Sequence, residues 1–309
     1  MDAEIEALIG NIEKVIVGKR TPIVQTTAAL LIGGHVLLED VPGVGKTQLA
    51  AAMAKSVNGT FSRVQMTPDI MPSDITGFSM LNRETGDFEY RKGAAFCNFL
   101  LADEINRASP KAQSSLLEVM EERQVSIDGN TYALPEPFMV IATQNPVETY
   151  GTYHLPEAQM DRFSMKISMG YPTASEESEI LDRNENDNPI TRISAVLSTD
   201  DIIALQEQVK KVRASQNVKD YIISVANATR SDEGIKLGVS PRGSIALYKS
   251  AKAWAFMDGR NFITPQDVKD CCVCTLAHRI MLSPKGKSMY ETQENAFVKI
   301  LERIPVPTE

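Results

Sequence analysis

The chain is poor in cysteine and tryptophan, with four of the first and one of the second in 309 residues. Cys271, Cys272 and Cys274 crowd into one segment while Cys97 stands far away, a spacing that suits reduced thiols in the cytoplasm better than a disulfide framework. Cys271, Cys274 and His278 could share a helix face as metal ligands, but thiols buried on an apolar helix are the simpler reading. Long hydrophobic runs are also missing, with nothing near the ~20 apolar residues that span a bilayer. The opening Met1-Asp2-Ala3-Glu4-Ile5-Glu6 lacks the basic and apolar regions of a signal peptide. A soluble, cytoplasmic protein with no membrane insertion is expected. Positive charge is short as well: 32 Lys+Arg against 40 Asp+Glu give a net charge of -8, which argues against a nonspecific binder of nucleic acid. Repeats, low-complexity tracts and coiled-coil heptads are absent.

What remains is ordinary globular material, 43% hydrophobic and 23% charged, in a length that exceeds what one core usually fills. As far as Gly170, short β-rich apolar runs at residues 35–38, 61–66, 99–101, 138–143 and 163–169 alternate with helical patterns. That alternation predicts a five-stranded parallel sheet sandwiched by helices. Beyond Tyr171-Pro172-Thr173 helical periodicity takes over, as in Ile202, Leu205, Val209 and Val212. The expected division is an α/β domain over 1–170 and a helical domain over 171–309. Two segments break the alternation. Phe78 and Met80, then Glu84-Thr85-Gly86, then Phe88 and Tyr90 read as one hairpin, and Val125 and Ile127, then Asp128-Gly129, then Tyr132 and Leu134 as another.

Directly after the first strand stands Asp40-Val41-Pro42-Gly43-Val44-Gly45-Lys46-Thr47, followed by a helical run through Gln48, Leu49 and Met53. Backbone N–H groups of such a loop, with the helix N-terminus behind them, surround polyphosphate oxygens. Gly43 and Gly45 let the backbone approach without a Cβ, Lys46 reaches the β- and γ-phosphates, and the Thr47 hydroxyl ligates Mg²⁺. Asp40 stands where the general pattern G-x-x-x-x-G-K-[ST] has glycine. The run Phe99-Leu100-Leu101-Ala102-Asp103-Glu104 supplies an apolar strand ending in two carboxylates. Asp103 suits the Mg²⁺ shell, and Glu104 suits the polarisation of a water for attack on the γ-phosphorus. Asn145, at the end of the fourth strand, belongs to the same carboxyl edge. Arg242, in Ser240-Pro241-Arg242, is a cation in a helix's first turn, where the macrodipole disfavours it, so an anion is expected nearby: a phosphate or a carboxylate. Arg162 precedes the fifth strand and, read alone, is expected to form a salt bridge with an adjacent acid.

Taken together, these residues resemble a MoxR-type AAA+ ATPase. The resemblance rests on Gly33 to Thr47, Thr67 to Gly77, Leu101 to Ala108, Ala142 to Pro146, Leu155 to Phe163 and Ser240-Pro241-Arg242, in that order along most of the chain. It implies a P-loop AAA+ α/β domain followed by an all-α lid. The cofactor-binding set it implies is Val17, Gly18, Gly43, Val44, Gly45, Lys46, Thr47 and Gln48, with Val17 and Gly18 beside the adenine. Walker B carboxylates fall on Asp103 and Glu104, with Thr47 and Asp103 as metal ligands. Sensor 1 falls on Asn145, sensor 2 on Arg242 and the arginine finger on Arg162. ATP and Mg²⁺ are the implied cofactors.

The same resemblance implies a ring, usually a hexamer, with the finger acting on the neighbouring subunit's nucleotide. It also implies hairpins facing the axial opening, chaperone-like remodelling or maturation of client proteins, and a partner bearing a von Willebrand factor A domain. The alternative is a nucleic-acid-associated AAA+ motor, for which Arg83, Arg91 and Lys92 near the first hairpin speak and the overall acidity does not. An activator of the Gly-Ala-Phe-Thr-Gly-Ala type is excluded because that string is absent. An inactive nucleotide-gated scaffold has only Asp40 in its favour.

Overall fold

The computed structural model describes every residue except 147–150, 154, 184, 186–187 and 308–309. Five strands form the central sheet: β1 (Val36–Glu39), β2 (Phe61–Gln65), β5 (Phe99–Asp103), β8 (Met139–Gln144) and β9 (Met165–Ile167). They run parallel in the order β2-β5-β8-β1-β9. All five apolar runs read from the sequence are strands of this sheet.

Successive side chains of a strand face opposite ways, and here both faces are covered. Val36, Leu38, Phe99, Leu101, Met139 and Ile141 pack with Ile5, Leu8, Ile23, Leu49 and Met53, from the helices Ala3–Glu13, Arg20–Leu31 and Lys46–Ser56. Leu37, Leu100, Ala102, Val140 and Ala142 pack instead with Ala112, Leu116, Leu117 and Met120 of the helix Pro110–Glu122. Because β5 and β8 are buried on both sides, their sequences are nearly all apolar and turn polar only toward their carboxyl ends, at Asp103 and at Thr143 and Gln144. A truncation such as Leu101→Ala would cost about 2–5 kcal/mol.

The two expected hairpins are present, β3 (Gly77–Leu81) with β4 (Phe88–Lys92) and β6 (Gln124–Ile127) with β7 (Asn130–Ala133). Asp128 and Gly129, both at positive φ, close the second with the two-residue turn that matches strand twist. The hairpins touch: the rings of Tyr90 and Tyr132 stack with centroids 4.2 Å apart.

From Ala174 onward the chain is mainly helical. Its principal helices, Gln216–Ser231, Pro241–Met257, Pro265–Leu276 and Gln293–Arg303, enclose their own core of Val225, Leu247, Val268, Leu276 and Phe297. One short antiparallel pair, β10 (Ile235–Leu237) with β11 (Met281–Leu282), departs from the all-helical expectation and places Leu282 in that core. Ile202, Leu205, Val209 and Met257 join the sheet's core instead, so apolar packing ties the helical part to the α/β part.

Candidate functional site

β1 ends at Glu39, and the chain turns through a loop into the helix Lys46–Ser56. Gly43 and Gly45 have φ of 85° and 94°, a region side chains with a Cβ adopt only with strain. Gly45 is the N-cap residue and offers no side-chain cap, so the first N–H groups of the helix are left for an external acceptor. Asp40, the departure from the general pattern, organises the loop. Its carboxylate accepts from the backbone N–H of Val41 (2.9 Å), Met169 (2.8 Å) and Gly170 (2.6 Å) and from the Ser168 hydroxyl (2.8 Å). Burial pushes this acid up, but those donors, led by Gly170, hold it below its ordinary value. Lys46 Nζ lies over the loop, donating to the carbonyls of Asp40 (2.6 Å) and Val41 (3.2 Å). Burial pulls its ammonium below the usual range against the opposing pull of Asp40, Asp103 and Glu104, so an added polyanion would favour the charged form.

The carboxylates are held by neighbours along the sheet's carboxyl edge. Asp103 accepts from Thr143 Oγ1 (2.6 Å) and from Arg63 (2.7 Å). Thr143 in turn accepts from the Glu104 N–H at 2.8 Å. Glu104 itself sits at φ 57°, ψ 52°, a left-handed conformation costing on the order of 1 kcal/mol for a residue with a Cβ. That bend turns its carboxylate to Gln65 Nε2 (2.8 Å) and Arg107 (3.2 Å). Gln65 was missed from the sequence because its role depends on β2 lying beside β5, where Gln65 is the register partner of Asp103. Arg107 and Thr143 fall inside the blocks Leu101 to Ala108 and Ala142 to Pro146, but their contacts have no signal in the sequence.

Pro42, Gly43, Gly45, Lys46, Thr47, Gln48, Asp103, Glu104, Thr143 and Asn145 line one cavity of about 300 Å³. A second, of about 200 Å³, adjoins it through Gly43, Gly45 and Gln48 and is walled mainly by apolar residues, among them Val15, Ile16, Val17, Val44 and Ile180, with Lys19 as its one charged lining residue. A polar, carboxylate-bearing chamber thus lies beside a mainly apolar slot, chemistry that suits a polyphosphate and a base respectively. Gly18, at φ 68°, abuts Glu176 so closely that a Cβ there would meet its carboxyl. The residues fit magnesium too: a hydroxyl at Thr47 and a carboxylate at Asp103 share the chamber, the hard oxygen donors that Mg²⁺ prefers.

Arg162 and Arg242 are not brought to this chamber. They line a separate cleft with Gly33, Glu121, Asp161 and Arg279, and both pair with Glu121, Arg162 at 3.1 Å. The anion facing Arg242 is therefore a carboxylate within the chain. Arg162 also finds its acid, 41 residues away in sequence rather than beside it.

Cys97, Cys271, Cys272 and Cys274 are buried, free thiols, and burial raises all four, Cys97 and Cys274 to about 12. His278 is buried with Nε2 3.0 Å from the Phe163 carbonyl, and burial holds it neutral. Among the described residues no group of three or more His, Cys, Asp or Glu is placed to hold a metal ion, and no helix is long and apolar enough to cross a membrane.

A glycine-bearing phosphate loop at the carboxyl edge of a parallel sheet, with paired carboxylates one strand over and a helical part behind, defines a P-loop nucleotide-binding protein of the AAA class. The family model described as "ATPase family associated with various cellular activities (AAA)" matches residues 35–165, and the model for the AAA lid domain matches residues 227–300. The chain is 49% identical to the protein YeaC of Bacillus subtilis over 97% of its own length and 94% of that protein's. It is 41% identical to Chaperone MoxR1 of Mycobacterium tuberculosis, covering 98% and 82% of the two chains, and 32% identical to the MoxR protein of Paracoccus denitrificans, covering 95% and 93%. A crystal structure from Cytophaga hutchinsonii matches with a TM-score of 0.91 at 38% identity, over 99% of this chain and 95% of that one. The chain belongs to the MoxR family of AAA+ ATPases.

Proposed function

We propose that this protein is a Mg²⁺-dependent ATPase that works as a hexameric ring and couples hydrolysis to chaperone-like remodelling or maturation of client proteins. The observation that carries the ATPase reading is the convergence of Lys46, Thr47, Asp103, Glu104 and Asn145 on one chamber beside a mainly apolar slot at Val17. Residues 1–170 act as the nucleotide-binding domain and 171–309 as the lid. Gly43, Val44, Gly45 and Gln48 supply the loop and helix start around the triphosphate, with Val17 and Gly18 beside the base. Magnesium, when bound at Thr47 and Asp103, would neutralise phosphate charge. Lys46 orients the terminal phosphates, Asn145 orients the attacking water, and Glu104, steadied by Gln65 and Arg107, takes its proton.

Arg162, the finger, and Arg242, the sensor-2 residue, lie off the chamber of their own chain; the resemblance has the finger acting on the nucleotide of the next subunit, and because the two arginines share one cleft we read Arg242 as acting there with it. Oligomerisation then becomes part of catalysis, since such arginines contribute about 10³–10⁵ in rate. Clients reach the ring with a partner bearing a von Willebrand factor A domain, as the family resemblance implies, in the cytoplasm and without nucleic acid. The relative named Chaperone MoxR1 supports the remodelling role.

Steady-state hydrolysis by wild type and Glu104→Gln, beside calorimetry with magnesium nucleotide, tests the reading. Glu104→Gln is expected to bind nucleotide as wild type does and to turn over about 10²–10⁴-fold more slowly. Absence of binding heat in folded wild type, or equal rates for the two proteins, would refute it. Affinity capture with Glu104→Gln in ATP tests the client reading by whether a protein with a von Willebrand factor A domain is retained.

A further inference from the structure

Asp161 and Arg162, adjacent in sequence, join the helical part to the sheet part. Asp161 accepts from the Ser240 hydroxyl at 3.0 Å and pairs with Arg279. Arg279, with 2% of its side chain exposed, is held further by the carbonyls of Thr275 (2.8 Å) and Phe163 (2.6 Å). A desolvated ion pair with its remaining donors satisfied is geometrically stiff, and losing one partner is costly. Ser240 is also the N-cap of the helix Pro241–Met257, accepting from the Gly243 N–H at 3.1 Å. Asp161 therefore fixes the start of the helix that carries Arg242.

Two charges here lie at the unfavourable ends of their helices. Arg242 is a cation in the first turn of Pro241–Met257, and Glu121 an anion in the last turn of Pro110–Glu122. Each placement costs about 0.3–1 kcal/mol against the macrodipole, and the structure pairs the two with each other. Glu121 does more than cancel one charge. One carboxylate oxygen takes Arg242 and the other takes Arg162 at 3.1 Å. Arg162 uses a single terminal nitrogen for Glu121 and for the Leu117 carbonyl (2.6 Å), so its second terminal nitrogen takes part in neither contact. Two guanidinium groups brought together without a counter-ion repel; a shared carboxylate holds them side by side while each keeps donors for a further anion.

We infer that Glu121, bridging Arg162 of the α/β part and Arg242 of the helical part, is a positioning residue that makes the two arginines one clamp for the terminal phosphate bound by a second copy of this chain. This rests on the ring reading above and deepens it: lid and sheet present their cations together or not at all. Coupling passes through a carboxylate on a third element, so a small rotation of the helical part would draw both arginines off the neighbouring phosphate.

The test is Glu121→Gln, which keeps the shape and removes the charge. Its kcat is expected to fall about tenfold with KM for ATP changed less than twofold. Adding Arg242→Ala to Glu121→Gln should lower kcat much less than Arg242→Ala does in wild type, because the clamp is already broken. Assemblies mixed from Glu121→Gln and Glu104→Gln subunits should exceed the summed rates of the two parents, since Glu104→Gln subunits bring an intact clamp to a neighbour with an intact Glu104. The same mixing with Arg162→Ala controls for the ring reading. No recovery with Arg162→Ala in assemblies of matching size overturns that reading. Recovery with Arg162→Ala but not with Glu121→Gln overturns the role of Glu121 alone, as does an unchanged kcat in Glu121→Gln. Should Glu121→Gln melt below the assay temperature, the same comparisons are made with Glu121→Asp, which keeps the charge at shorter reach.

Discussion

Gln65 Nε2 donates to Glu104 Oε2 at 2.8 Å, across two strands whose pairing sets Gln65 opposite Asp103. Only one oxygen of Glu104 takes Gln65 and Arg107, so the carboxylate is oriented while the other oxygen remains for a water. Gln65→Ala is expected to lower kcat about tenfold, with KM for ATP nearly unchanged, because orientation of the base is lost and not nucleotide binding. Steady-state kinetics checks this; an equal loss in kcat/KM carried wholly by KM would contradict it.

Lys46→Ala removes the cation that lies over the loop and leaves Gly43 and Gly45 unaltered. Nucleotide affinity should fall at least about tenfold, which is about 1.4 kcal/mol, while the melting temperature without nucleotide moves little. Calorimetric titration beside thermal melting separates the two.

Asp40 is a second anchor of the same loop. One of its oxygens accepts from Ser168, Met169 and Gly170 and the other from Val41, so the amide of Asp40→Asn must set an N–H against a donor. A stability loss of about 1–3 kcal/mol is expected, and Asp40→Gly, which restores the residue of the general pattern, should lose as much and bind nucleotide no better. The pH sense follows from the folded acid titrating below its ordinary 3.8: its contribution is complete above that value and is lost as pH falls through the folded pKa. Urea unfolding of both variants against wild type, at neutral pH and near pH 3, measures it.

His35 is fully buried between the Met120 carbonyl (2.9 Å from Nε2) and the Val140 N–H (2.9 Å from Nδ1). Those partners require a neutral ring with the proton on Nε2, and burial, opposed by the Met120 carbonyl, lowers its pKa from 6.5 to about 4. Unfolding lets the ring take up a proton throughout that interval. Stability from this group is therefore complete above pH 6.5 and declines toward pH 4, by on the order of 3 kcal/mol. His35→Gln, which can offer one donor and one acceptor, should be less stable at pH 7 yet show a shallower fall between pH 6.5 and 4. Equal slopes for variant and wild type in urea unfolding would rule out His35 as the source.

The sequence by itself determined the five strands, both hairpins and the phosphate loop, because each rests on local physics. A doubly buried strand must be apolar along its length, a tight turn must admit positive φ, and a loop that grips phosphate must be short of side chains and rich in N–H groups. Asp103 and Glu104 were legible for the same reason, as charges that an apolar strand tolerates only at its end. Tertiary structure alone decided the company these residues keep. Gln65 meets Glu104 because β2 lies beside β5, Asp40 meets Gly170 because β9 lies beside β1, and Glu121 gathers Arg162 and Arg242 from segments 41 and 121 residues away. Such pairings carry no periodicity for a sequence to display. They exist only once hydrophobic burial has set the order of the strands and docked the helical part.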